Sequence, residues 1–366
     1  MSNVIKIAVI TGGVLVALIA YLLFFKSNLT TDSTVESVFS TKKNNDPLIS
    51  KAKDNNLLPI PTDKNALNQL IDNKENPLSP EKIELGKKLY FEPRISKSGL
   101  ISCNTCHNLA TSGIDGVDVA IGHKWTANPH NLNSPTVYNA VFAQKQFWDG
   151  RSPDLENQAQ GPIQAEPEMS ATIEHVEKVV TSIPEYVEEF KTAYGKDVEI
   201  NFELITATIG LFERTLVTTS KYDDYLNGNS EALSDEEKAG LETFIDKGCV
   251  TCHNNYALGG SMQPFPTVKP FKFADVGDFK GDENGLVKVP TLRNIEETAP
   301  YFHNGTVWDL SEAIKIMGET QLGINLTKEE VAKIVTFLKT LNGEKPEIIY
   351  PILPNNSSTT PLPDVK

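Results

Sequence analysis

Cys103-Asn104-Thr105-Cys106-His107 and Cys249-Val250-Thr251-Cys252-His253 use every cysteine in the chain. Each pairs two thiols across two intervening residues and sets a histidine directly after them. That is the pattern of a c-type haem attachment site, in which the thiols add across the haem vinyl groups and the imidazole ligates the iron. Four cysteines in two such pairs could instead make a zinc knuckle, but zinc ribbons hold their pairs much closer in sequence and need no histidine after each. Disulfides leave both histidines equally unexplained. The motifs therefore indicate two covalently bound haem c groups, one on Cys103, Cys106 and His107, the other on Cys249, Cys252 and His253.

The far side of each iron needs its own reading. Methionine is the usual partner in an electron-transfer cytochrome and raises the potential. The chain offers Met1, Met169, Met262 and Met317. Met1 is remote and Met262 follows His253 too closely to wrap around a porphyrin. Met317 ends the helical stretch 310–316 at a reach typical of small cytochromes c. For the first haem, His123 and His130 both lie in polar, glycine-bearing sequence suited to a loop. His175 opens an amphipathic helix and is expected to face solvent, whereas His303 reads as a neighbour of the site rather than a ligand.

The elements that position these groups repeat. Ser79-Pro80-Glu81 reads as an N-cap with proline at the first helical position, opening a helix through Leu85, Gly86, Leu89 and Tyr90. Ser234 to Glu237 is a capping box opening a helix through Gly240, Leu241 and Phe244. Both place a glycine four residues before an aromatic, and the glycine would let a second helix cross close by. Each half also ends in an amphipathic helix. Leu204, Ile205, Thr208, Ile209, Phe212 and Leu216 share a face in the first, as do Val331, Ile334, Val335, Leu338 and Leu341 in the second, before Asn342-Gly343 stops it. The fold class expected is mostly α: two cytochrome c-like domains, each binding one covalent haem c, after an N-terminal transmembrane helix.

The chain has 366 residues, 39% hydrophobic and 22% charged, enough for two modest domains of ordinary globular composition. Its formal net charge of −14 argues against nucleic acid and would attract a basic protein partner. Residues 7–25 are apolar or small apart from Thr11, with Lys6 before and Lys26 after. No convincing small-x-small cleavage site follows, so residues 1–26 are read as an uncleaved membrane anchor, with a cleaved signal peptide as the alternative. Residues 27–56 have linker composition. The domains expected are 57–218 and 219–345, followed by an extended tail over 346–366. Haem c attachment is an extracytoplasmic chemistry, which puts the body in the periplasm.

Further stretches occur in order: Ile121-Gly122-His123; Asn133-Ser134-Pro135-Thr136-Val137-Tyr138-Asn139; Gln146-Phe147-Trp148-Asp149-Gly150-Arg151; Gly161-Pro162-Ile163-Gln164 with Glu168-Met169; Pro290-Thr291-Leu292-Arg293-Asn294; and Ala299-Pro300-Tyr301-Phe302-His303. With the haem motifs, this set resembles the bacterial di-haem cytochrome c peroxidases over roughly residues 57–354. The resemblance implies a low-potential peroxide-reducing haem on His107, with His123 as its second ligand in the resting oxidised enzyme. It implies a high-potential haem on His253 and Met317, whose reduction makes His123 leave. Glu168 would be acid and base at the peroxide with Gln158 beside it, and Trp148 would lie between the haems. A Ca²⁺ site would use the Asn133 side chain and the carbonyls of Thr298 and Pro300, oxygen ligands that suit this cation.

The implied partners are hydrogen peroxide, a small cytochrome c or cupredoxin donor, the inner membrane through the N-terminal helix, and a second copy in a homodimer. The site chemistry is consistent, because heterolysis of the O–O bond needs a proton moved between its oxygens and a positioned carboxylate can move it. Two other readings stand beside this one. In a relative that oxidises a protein or organic substrate, tyrosine can replace the methionine at position 317. A plain di-haem electron carrier would have no use for Glu168 and Gln158.

Overall fold

In the computed structural model, which describes residues 46–365, the Ser79 hydroxyl accepts a hydrogen bond from Lys82 N, and Pro80 opens the helix Pro80–Tyr90. Reciprocal capping boxes, Ser234 with Glu237 and Thr327 with Glu330, start Asp235–Asp246 and Lys328–Lys339, while Asn201 caps Phe202–Arg214. These four helices form two crossed pairs. A Cβ on Gly86 would lie 2.2 Å from the Thr208 carbonyl oxygen, and one on Gly240 would lie 2.2 Å from that of Lys333. Neither helix pair could approach this closely with any other residue at the crossing. One turn later an aromatic seals each contact, Tyr90 against Phe212 at 5.4 Å between ring centroids and Phe244 against Phe337 at 5.1 Å.

Each pair organises its own core. Leu85, Leu89, Val176, Tyr186, Phe190 and Ile209 are buried in the first, and Tyr222, Leu241, Ile334 and Leu338 in the second. Among the described residues the β-structure is slight: Met262–Pro264 pairs antiparallel with Leu286–Lys288. The mostly helical reading and the two cytochrome c-like halves agree with what the structure shows.

A second repeat joins the halves. Pro135-Thr136-Val137-Tyr138-Asn139 and Pro290-Thr291-Leu292-Arg293-Asn294 each end on a fully buried asparagine at left-handed φ, +64° for Asn139 and +60° for Asn294. Both amides donate to the same hydroxyl, Thr218 Oγ1, at 2.8 and 3.0 Å. Further on, Phe147 and Phe302 hold matching φ values of +65° and +68°, so Trp148 and His303 occupy corresponding positions. The backbone then crosses over. Asn133 N donates to His303 O, and Lys288 N donates to Trp148 O, both at 2.8 Å.

At the ends of the chain, only the last part of the linker departs from expectation. The anchor assigned to residues 1–26 and most of the 27–56 linker lie outside the described residues; among those described, no helix is long and apolar enough to cross a membrane. The last part of the linker is not featureless. Asp46 caps the helix Pro47–Asp54, Ala52 and Leu57 are fully buried in the second core, and Tyr225 donates to Asp46. A polar average hid apolar residues at helical spacing behind an Asp-Pro start. The tail runs extended along the first half: Tyr350 packs on Phe91 at 4.7 Å, Pro363 covers Gly99, and Asp364 N donates to Lys97 O at 2.9 Å.

In the second core Arg293 grips Asp223 through two hydrogen bonds of 2.9 and 2.8 Å, both side chains fully buried. Asp223 also accepts from Ile60 N at 2.7 Å and Ser220 N at 2.8 Å, tying the N-terminal segment to this half. Removing the arginine leaves a buried carboxylate without its counter-charge. Arg293→Met is expected to cost about 3–5 kcal/mol, read as a lower urea midpoint in equilibrium unfolding. A midpoint equal to that of the unsubstituted chain would show that the pair contributes nothing.

Candidate active site

The first haem motif folds as a short helical turn, Cys103–Cys106, with Ser102 and Thr105 capping each other at its start. Cys103, Cys106 and His107 line one cavity. His107 Nδ1 lies 2.9 Å from the Pro135 carbonyl, which can only accept, so Nδ1 carries the proton and Nε2 is left with a free lone pair. Pro135 opens the first copy of the repeated five-residue stretch, so the segment that joins the halves also orients this ring.

Cys249, Cys252 and His253 line a second cavity, where His253 Nδ1–H donates to the Leu258 carbonyl at 3.0 Å. Burial lowers the pKa of both histidines, that of His253 to about 4, so both are neutral and suited to ligate a metal. Burial likewise pushes the Cys106 thiol up to about 12 and that of Cys249 to about 11. The two cysteine pairs face different cavities and, among the described residues, no cluster of three or more His, Cys, Asp or Glu side chains could hold a metal ion. Four sulfurs do not converge, which removes the zinc alternative.

Met317 ends the helix Leu310–Met317 and lines the second cavity opposite no competing methionine. Met169 is buried in the first core, and Met262 presses on Gly150, where a Cβ would lie 2.6 Å from its sulfur.

Glu168 and Gln158 both line the first cavity. Glu166 is exposed, whereas burial raises the pKa of Glu168, with Arg151 pulling the other way. His123 stands behind this wall. Its backbone N–H donates to Glu168 O at 2.7 Å, and Gly122 beside it packs so tightly that a Cβ would lie 2.2 Å from the Pro167 carbonyl. The His123 ring is 3% exposed, yet neither nitrogen has a hydrogen-bond partner. Buried polar atoms are rarely left so, and one of these two nitrogens has a lone pair that a metal could take. Both cavities thus offer paired neutral thiols and an imidazole held in the ligating tautomer, and the residues fit two haem c groups.

The remaining histidines divide. His130 is exposed and pairs with Asp278 at 3.0 Å. His175, expected to face solvent, is half-buried and donates through Nε2 to the Arg94 carbonyl at 2.9 Å. His303 is buried, lines the second cavity and meets Trp148 edge-on at 6.3 Å.

Trp148 is in the wall common to both cavities, its Nε1–H donating to Asn133 O at 3.0 Å. Asn133 is in the same wall, and its amide donates to the Pro300 carbonyl at 2.8 Å. Thr298 and Pro300 line the second cavity, so the three residues named for calcium are neighbours. As the amide stands it presents N–H to that carbonyl; turned over, it would present Oδ1 to the same place. Two charged groups escaped the sequence reading. Glu213 lines the first cavity at 5% exposure, pushed up to about 8 by burial and then by Glu156. Lys288 lines both cavities. Aligning the repeated stretches would have found it, because Lys288 precedes Pro290 as Asn133 precedes Pro135.

Comparisons with known proteins agree with this architecture. The family described as di-haem cytochrome c peroxidase matches residues 80–231, and cytochrome c matches residues 237–342. The cytochrome c551 peroxidase of Pseudomonas aeruginosa is 46% identical over 308 residues, 81% of this chain and 88% of that protein. That of Nitrosomonas europaea is 48% identical over 294 residues, 78% and 87% of the two chains. Among solved structures, a MauG-like protein associated with microbial copper homeostasis superposes with a TM-score of 0.65 at 27% identity, covering 74% of this chain and 91% of that one. Two haem attachment sites in two crossed-helix halves, with relatives of this identity over most of their length, place the chain in the di-haem cytochrome c peroxidase family.

Proposed function

We propose that the chain reduces hydrogen peroxide to two waters at the first cavity, using electrons that a small soluble cytochrome c or a copper protein delivers at the second. The observation that carries this division is the placement of Glu168: a half-buried carboxyl lining the cavity of His107 and Gln158, while the second cavity is lined by no carboxylate. The body lies on the extracytoplasmic side, with residues 7–25 as its anchor. Its acidic net charge steers a basic donor at low salt.

When bound, the haem of the first cavity supplies the electrons and the Lewis-acid centre for breaking the O–O bond. Glu168 takes the proton from one peroxide oxygen and returns it to the other, and burial raises its pKa, which makes its carboxylate a stronger proton acceptor. Gln158 fixes the peroxide by hydrogen bonding. Trp148, in the shared wall, offers electrons an aromatic path between the cavities.

His123 closes the first cavity in the resting state and withdraws when the second site is reduced. Its loop is built for that. Lys124 and Trp125 hold successive left-handed φ values of +57° and +56°, each costing roughly 1–2 kcal/mol in a residue with a Cβ. Trp125 is 65% exposed, so its own side chain adds little packing to resist a swing. A cation between the turned Asn133 amide and the Thr298 and Pro300 carbonyls would stiffen the wall both cavities share.

Three outcomes are expected. Glu168→Gln keeps both haem spectra and loses peroxide turnover by roughly 10²–10⁴-fold; turnover at the original rate would remove Glu168 from the chemistry. Reducing only the high-potential haem is expected to release His123, which would change the electronic spectrum of the first haem and raise turnover. A spectrum indifferent to half-reduction would show that His123 does not leave. Treatment with a calcium chelator slows this release and added Ca²⁺ restores it, whereas an unchanged rate with no bound calcium by elemental analysis would dismiss the site.

A further inference from the structure

Lys288 ends the strand Leu286–Lys288 and is 9% exposed. It lines both cavities, and its charge is felt at His107. Among the described residues its ammonium has no ion-pair or hydrogen-bond partner, and the nearest carboxylate to act on it, Asp149, is engaged by Arg151 at 2.8 Å. An ammonium buried without a counter-charge is costly, so its surroundings in the protein alone are incomplete.

The second cavity states the converse need. Of the residues lining it, Lys288 alone carries a permanent charge; the rest are apolar, neutral polar or neutral imidazole. A haem c keeps two propionate carboxylates after attachment, and besides any cation bound at Asn133, Thr298 and Pro300 the wall of this cavity offers them Lys288 as its one side-chain cation. In the first cavity the permanent cations are Lys288 and Arg151, the latter already paired with Asp149. Lys288 is also the counterpart of Asn133 in the internal repeat, and each holds its place by the same 2.8 Å backbone hydrogen bond to the opposite half.

We propose that the Lys288 ammonium is a counter-cation held in common by the carboxylates of the haems in the two cavities, and that it raises the reduction potential of both. The inference rests on haem attachment in both cavities and not on which of them meets peroxide. Burial holds the lysine down to about 8 before any carboxylate arrives, so the charged form prevails at neutral pH, and an anionic neighbour strengthens it. A fixed positive charge favours the reduced state of a nearby iron, which carries one more electron.

The test is an optical redox titration of the holoenzyme at fixed pH and ionic strength, comparing Lys288→Gln and Lys288→Arg with the unsubstituted chain, each at two haems per chain by pyridine haemochrome assay. Lys288→Gln is expected to lower both midpoint potentials, and Lys288→Arg to leave both near their original values. If Lys288→Gln fails to fold, Lys288→Met, which keeps the length of the stem, takes its place with the same expectation. Potentials that stay put, a fall in one haem alone, or a fall that arginine does not reverse each overturn the shared counter-cation. An unsubstituted chain that cannot be isolated with two covalent haems overturns it together with the attachment chemistry it rests on.

Discussion

Two backbones in van der Waals contact at a glycine are the constraint on which this protein depends, and it is met twice. At Gly86 and at Gly240 a helix runs so close to its partner that a Cβ would overlap a carbonyl oxygen. Each crossing sets the direction in which its first helix leaves, and the haem motif follows shortly afterwards in both halves. The attachment cysteines therefore inherit their position from a contact that involves no polar chemistry. The aromatic after each glycine locks the angle by meeting a phenylalanine on the crossing helix, Phe212 or Phe337.

The repeated Pro-Thr-x-x-Asn segments do for the cavities what the glycines do for the helices. Each ends in a left-handed asparagine that reaches Thr218, and two residues before each segment, at Asn133 and Lys288, one backbone hydrogen bond runs into the opposite half. The outcome is a single wall, with Trp148, Asn133 and Lys288 in it, that neither half could build by itself. Corresponding positions of the two copies differ. Tryptophan faces histidine and asparagine faces lysine, so one scaffold presents different chemistry to its two cavities.

Much of this could be read from the residues. The haem motifs, the caps on the paired helices and the glycine crossings follow from local pattern, because spacing along a helix dictates which side chains share a face. What eluded that reading depends on contacts distant in sequence. Glu213 and Lys288 look like surface charges until the cavities they line are known. The helix Pro47–Asp54 was lost in a polar average, since its apolar face matters only against the second core. Glu168 and Glu166 are indistinguishable by spacing; the family resemblance chose Glu168, and the structure half-buries it while leaving Glu166 exposed.

The two ends of the described chain are crossed. Residues 46–60 pack on the second half through Ala52, Leu57 and the Asp223 network, while the tail, which follows the second half in sequence, lies on the first. A polypeptide made from its N-terminus therefore presents its first attachment motif before the tail that packs on that half exists, and residues 46–60 are made before the surface they pack against. The crossed ends therefore postpone the completed packing of the first half, which carries Cys103 and Cys106, until the tail has been made, whereas the second half has all of its own packing before the tail exists.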